Sequence, residues 1–111
     1  MNLNLDIATL AKNMLASMQV TLKNKWPEVK EYAESETKKL AETLILIKRL
    51  EIEGKVTPEQ LRLHLEMQKN ATRAVLLTIE GLGILAVEAA INAALNVVKD
   101  AVNTALGFTL L

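Results

Sequence analysis

Residues 53–60 read Glu53-Gly54-Lys55-Val56-Thr57-Pro58-Glu59-Gln60. Glycine takes the left-handed conformation that closes a helix C-terminus without steric cost, so Gly54 is placed to end an upstream helix. Thr57 can cap a second helix with its hydroxyl. Pro58 suits a first helical position, where no N–H is needed, and Gln60 can reach back to the Thr57 backbone to complete a capping box. So short a link makes the two helices antiparallel. The middle of the chain is therefore expected to be a helical hairpin.

Upstream of the turn, Val29, Ala33, Leu40, Leu44 and Ile47 recur at helical spacing with charged residues on the other faces. Trp26-Pro27 marks a break or kink, because Pro27 cannot donate into a continuing helix. Before it, residues 4–25 form an amphipathic helix whose apolar face holds Leu3, Ile7, Leu10, Ala11, Met14, Leu15, Met18 and Leu22. Downstream, Leu61, Leu65, Thr72, Val75, Leu76 and Ile79 make an inward stripe as far as Gly81-Leu82-Gly83. Two glycines disfavour an unbroken helix there by about 1 kcal/mol each. Helical periodicity resumes from Ile84 to about Leu106. The expected fold is all-α: an antiparallel bundle of three to four helices built on a long helical hairpin, one domain over 1–111, with breaks near Trp26-Pro27 and Gly81–Gly83. Pro27 and the glycines lie at the same level of the two arms. The apolar first helix would then lie beside the apolar last one, and the chain can be a long bent hairpin that dimerises or a four-helix bundle folded back at both breaks. An unbroken arm of fifty residues would be roughly 75 Å long, too long for a lone hairpin to cover its own apolar stripes.

The chain has 111 residues, half of them hydrophobic, yet only 3% aromatic; 13 basic and 13 acidic residues cancel. Twenty of those 26 charges lie in residues 23–73, so a charged middle separates two apolar ends. A short domain has little interior in which to hide so much aliphatic surface, and this points to a homo-oligomer, most simply a dimer. Zero net charge gives no long-range attraction to nucleic acid. The lysines are interleaved with glutamates and aromatics for base stacking are lacking, so no nucleic-acid partner is expected. The absence of cysteine removes disulfides, thiol catalysis and Cys-based zinc sites. Met1-Asn2-Leu3-Asn4-Leu5-Asp6 does not read as a signal peptide, and a cytoplasmic location follows by default.

The last helix has three faces on a 100° wheel. Glu88, Asn92, Asn96, Lys99 and Asn103 form a polar stripe; Ile84, Ile91, Leu95, Val98 and Val102 form a bulky flank. Gly83, Val87, Ala90, Ala94, Ala101 and Ala105 form a small-residue stripe that would let another helix approach closely, and they are the candidate oligomer interface. A membrane span over Ala74–Val98 is not expected. Its twelve large aliphatics supply roughly −4 to −7 kcal/mol on the insertion scale, which Glu80, Glu88, Asn92 and Asn96 offset. Shallow binding to a lipid or other apolar surface is the alternative to self-association, although the polar stripe is poor in Lys and Arg.

Two carboxylates break the pattern. On the same wheel Glu80 falls with Ile84, Ile91 and Val98, with Arg73 or Tyr32 as possible partners, and Glu36 shares the face of Val29, Leu40 and Ile47. Glu36, Arg73 and Glu80 are thus the candidate buried polar contacts. Inward carboxylates in a bundle can hold di-metal sites, but those need Glu-x-x-His pairs, and the single histidine, His64, has Leu61 and Met67 at three residues either way. No metal or other cofactor is expected, and a ligand-binding bundle ranks third among the readings. Gly81-Leu82-Gly83 lacks the remaining residues of a phosphate loop, and Ser17 and Ser35 lie in no nucleophile elbow. No enzymatic activity is expected. The Gly54–Thr57 turn lacks the motif of the secreted Trp-x-Gly hairpins, the only tryptophan being Trp26, and no family is assigned.

Overall fold

In the computed structural model, residues 5–111 are described; the expected helix start at residue 4 and the placement of Leu3 lie outside them. Four helices follow in order: α1 (Ile7–Leu22), α2 (Trp26–Glu53), α3 (Pro58–Leu77) and α4 (Ile84–Leu106), with a 3-10 turn at Lys23–Lys25 between the first two. Among the described residues there is no strand.

Each helix end has a local cause. Asp6 caps α1, accepting from the Thr9 backbone N–H at 3.2 Å and from the Thr9 hydroxyl. Gly54 closes α2 at φ 71°, its N–H donating to the Leu50 and Glu51 carbonyls. The capping box forms as the residues demand. The Gln60 N–H donates to the Thr57 hydroxyl at 3.2 Å, and the Gln60 side chain accepts from the Thr57 N–H at 2.8 Å. Gly107 closes α4 at φ 78°.

The first break is displaced from its expected place. Pro27 is the second residue of α2, where its missing N–H is harmless, so it starts a helix rather than interrupting one. The reversal occurs at Lys23, which ends α1 with φ 49° and ψ −112°, a conformation that disfavours a side chain. The second break runs over Thr78–Gly83, with Gly81 at φ 83°.

At both breaks the chain folds back, giving a four-helix bundle of 43 × 26 × 18 Å. Its long axis matches the roughly 42 Å of a 28-residue helix such as α2. Helix pairs α1–α4, α1–α2 and α2–α3 pack extensively, while the α3–α4 seam is looser. Helices α2 and α4 also touch across the middle, whereas α1 and α3 do not meet. The cross-section is thus a rhombus with α2 and α4 on its short diagonal, and these two helices bury the most residues.

Leu10, Met14, Met18 and Leu22 of α1 fill the core with Val29, Ala33, Leu40, Ala41, Leu44 and Ile47 of α2. Leu61, Leu65 and Leu76 of α3 and the bulky flank of α4 from Ile91 to Val102 complete it. Val75 and Ile79 are only half-buried, Ile79 because it belongs to the α3–α4 connection. The chain exposes 6526 Å², near the roughly 6,100 Å² of a compact monomer of its mass. Its two apolar ends therefore cover each other largely within one chain.

Candidate functional site

The seams between helices carry the molecule's polar chemistry, and each has a different character. On the α2–α3 seam Glu36 is 2% exposed. One of its carboxylate oxygens accepts from the Thr72 hydroxyl at 2.9 Å and the other from the Lys39 ammonium at 3.0 Å. Thr72 in turn accepts from the Gln68 amide at 3.2 Å. Gln68, Thr72, Glu36 and Lys39 thus form one chain of hydrogen bonds joining the two arms of the hairpin. Among the described residues no buried side-chain nitrogen or oxygen lacks a partner.

Arg73 and Glu80 do not lie together. Glu80 is exposed in the Thr78–Gly83 connection, so the helical wheel that placed it beside Ile84 and Ile91 does not apply to it. Arg73 is half-buried and turns across the α3–α4 seam to Glu88, with a second hydrogen bond to Asn70. The hydrogen bond to the Glu88 carboxylate raises the guanidinium pKa still further above its ordinary value. Nothing in the spacing of residues 73 and 88 marks this pair in advance, because the pairing depends on how α3 and α4 face each other.

The same seam explains the polar stripe of α4. Asn92, Asn96 and Lys99 line a cleft of about 260 Å³ with Leu95 beneath them and Leu65, Glu66 and Lys69 of α3 opposite. One end of the seam is held by Arg73 and Glu88. The other is crossed by the last residues of the chain. Asn103 accepts from the Leu110 and Leu111 N–H groups at 2.9 and 3.1 Å. Arg62 donates to the Thr109 carbonyl at 3.0 Å and lies over the Phe108 ring, 5.8 Å from its centroid.

The small-residue stripe of α4 is largely covered within the chain. Val87, Ala90 and Ala94 are fully buried inside the single chain and Ala105 nearly so, while Gly83 and Ala101 are exposed. The small side chains let α1 approach so closely that the Ser17 hydroxyl donates to the Ala93 carbonyl at 3.0 Å. Residues already covered by α1 cannot also meet another copy. Of the stripe, only Gly83 and Ala101 remain exposed.

The most apolar concavity lies elsewhere, on the outer side of the α1–α2 seam. Ile7, Ala8, Ala11 and Leu15 of α1 form its floor and one wall, and Glu34, Thr37 and Lys38 of α2 form the other, enclosing about 470 Å³. Sequence periodicity assigns Ile7, Ala11 and Leu15 to the inward face of α1. That helix leans on α4 with the deeper part of its apolar face, which leaves this flank half-covered at the seam. The groove is a property of two helices together, and no motif within either one announces it.

His64 is exposed on α3 beside Leu63 and Met67, and no three His, Cys, Asp or Glu side chains among the described residues are grouped to hold a metal ion. Among them, no helix is long and apolar enough to cross a membrane. Comparison with protein-family models, with curated proteins and with solved structures gives no match.

Proposed function

We propose that the chain is a non-enzymatic interaction module that acts by associating with further copies of itself, most simply as a dimer. The observation that carries this reading is the amount of large aliphatic surface left over after the core is filled. Val20 is 73% exposed, Leu85 84%, Ile52 69% and Met67 63%, with Leu63, Val97 and Ile84 also exposed. Scattered apolar residues on a surface are ordinary. Here they accompany a groove floored by Ile7, Ala8, Ala11 and Leu15 on α1, whose only charged residue is Lys12. Removing such a surface from water costs little desolvation and gains hydrophobic free energy, about 25 cal/mol per Å².

The interface of this proposal differs from the α4 stripe, and the reason is packing: that stripe is already occupied within the bundle. Light scattering on the purified chain across a concentration series tests the reading, with a mass of twice the chain expected at high concentration. A mass that stays at one chain throughout contradicts it. Binding of a lipid surface is the second reading, favoured by Val20 and Leu85, which protrude from the bundle. Co-flotation of the chain with neutral vesicles would support it over self-association.

A further inference from the structure

We infer that the α1–α2 groove is the surface on which a second copy docks, in a two-fold arrangement that places Glu34 of each chain against Lys38 of the other. This rests on the self-association proposed above and names the surface that carries it.

Three observations select this groove and this occupant. First, its lining is apolar along α1, through Ile7, Ala8, Ala11 and Leu15, and the small Ala8 and Ala11 let a helix approach closely. By contrast, the α3–α4 cleft is lined by Glu66, Lys69 and Lys99 and carries a desolvation cost. Second, the α2 wall presents two opposite charges, Glu34 and Lys38, one helical turn apart and both exposed. Neither makes an ion pair within the chain among the described residues, where the pairs are Glu36–Lys39, Glu66–Lys69 and Arg73–Glu88.

Third, a two-fold axis passing between residues 34 and 38 makes α2 antiparallel to its copy. The partner subunit's Lys38 then meets Glu34, and Lys38 meets the partner subunit's Glu34. The pattern is complementary to itself. An anionic lipid or an acidic partner would meet repulsion from Glu34, and a basic partner repulsion from Lys38.

Charge exchange tests the arrangement. The chain and three variants (Ala11→Asp, Lys38→Glu, and Glu34→Lys with Lys38→Glu) are compared by sedimentation equilibrium, with circular dichroism confirming that each remains helical. Ala11→Asp places a charge on the apolar floor, and Lys38→Glu sets like charges against each other. Each is expected to weaken dimerisation about tenfold or more. The double exchange rebuilds the same complementarity with signs reversed, and is expected to restore dimerisation to within about threefold of the original chain.

A dimer unaffected by Ala11→Asp and Lys38→Glu overturns this surface while leaving self-association standing. Loss with Lys38→Glu and no recovery in the double exchange overturns the two-fold pairing. An unsubstituted chain that is monomeric at every concentration overturns self-association itself. If Ala11→Asp proves unfolded, the two α2 variants alone decide the matter, since both substitute exposed residues.

Discussion

Glu36 shows how one buried carboxylate is accommodated, and what its partners contribute. The carboxylate is shielded from water and depends on the Thr72 hydroxyl and the Lys39 ammonium. Thr72→Val keeps the shape and removes a donor, so it is expected to destabilise the fold by about 1 to 3 kcal/mol. Combining it with Glu36→Leu removes the stranded charge as well, and most of that loss should return, as for other buried polar groups replaced in full. Denaturant unfolding of the two variants checks the contrast. If the double variant is no more stable than Thr72→Val, the network is worth more than an apolar seam. At the start of α1, the Thr9 hydroxyl and backbone N–H hold the Asp6 carboxyl below its ordinary value of 3.8. The ionised cap therefore supports α1 at neutral pH, and its contribution disappears as pH falls through the lowered folded-state value. Thermal unfolding followed from about pH 5 to about pH 2 is expected to show a smaller acid loss for Asp6→Asn than for the unsubstituted chain.

At the level of the helices, the contact between α1 and α4 depends on small side chains at particular turns. Ala94 is fully buried there, so Ala94→Leu forces extra volume into a filled space and is expected to cost about 1 to 3 kcal/mol. Ala101 lies on the same stripe one helical repeat later but is exposed, and Ala101→Leu is expected to change stability by less than about 0.5 kcal/mol. Melting temperatures of the pair distinguish the two environments; equal effects would mean that both face the same surroundings. The reversal between α1 and α2 has its own weakness. Lys23 sits at φ 49°, where a side chain is strained, so Lys23→Gly is expected to stabilise the bundle by about 1 kcal/mol. A lower melting temperature for that variant would contradict the strain.

Across the whole molecule the rhombic packing sets an order of stability. Helices α2 and α4 lie on the short diagonal and are enclosed by neighbours on several sides, whereas α3 meets α4 only through the looser seam. Local opening should therefore start with α3. Native-state hydrogen exchange is expected to give the amides of α3 lower protection than those of α2 and α4; uniform protection across all four helices would count against it. The balance of charge follows the same division. The glutamates and lysines of residues 23–73 surround α2 and α3, while α1 and α4 present mainly Ala, Val, Leu and amide side chains to solvent. Self-association through the α1–α2 groove would cover part of that less charged side.

What could be read from the amino-acid order alone was whatever is encoded over a few residues. The Gly54–Gln60 turn, the helical periods around it and the inward position of Glu36 follow from hydrogen bonds and burial within one or two turns of helix, and all are present in the structure. Only the tertiary structure decided which way the chain turns at each break. It also decided which stripe meets which neighbour, because those outcomes are settled by competition among contacts far apart in the chain. Glu80 was misplaced because a helical wheel was continued across a segment that is not helical. Counting outward from the turn sets the two apolar end helices side by side, but which residues of the α4 stripe end up covered is not legible, because nothing local fixes how α1 and α4 face each other. The α1–α2 groove was invisible for the same reason: a concavity between two helices exists only once their relative position is set.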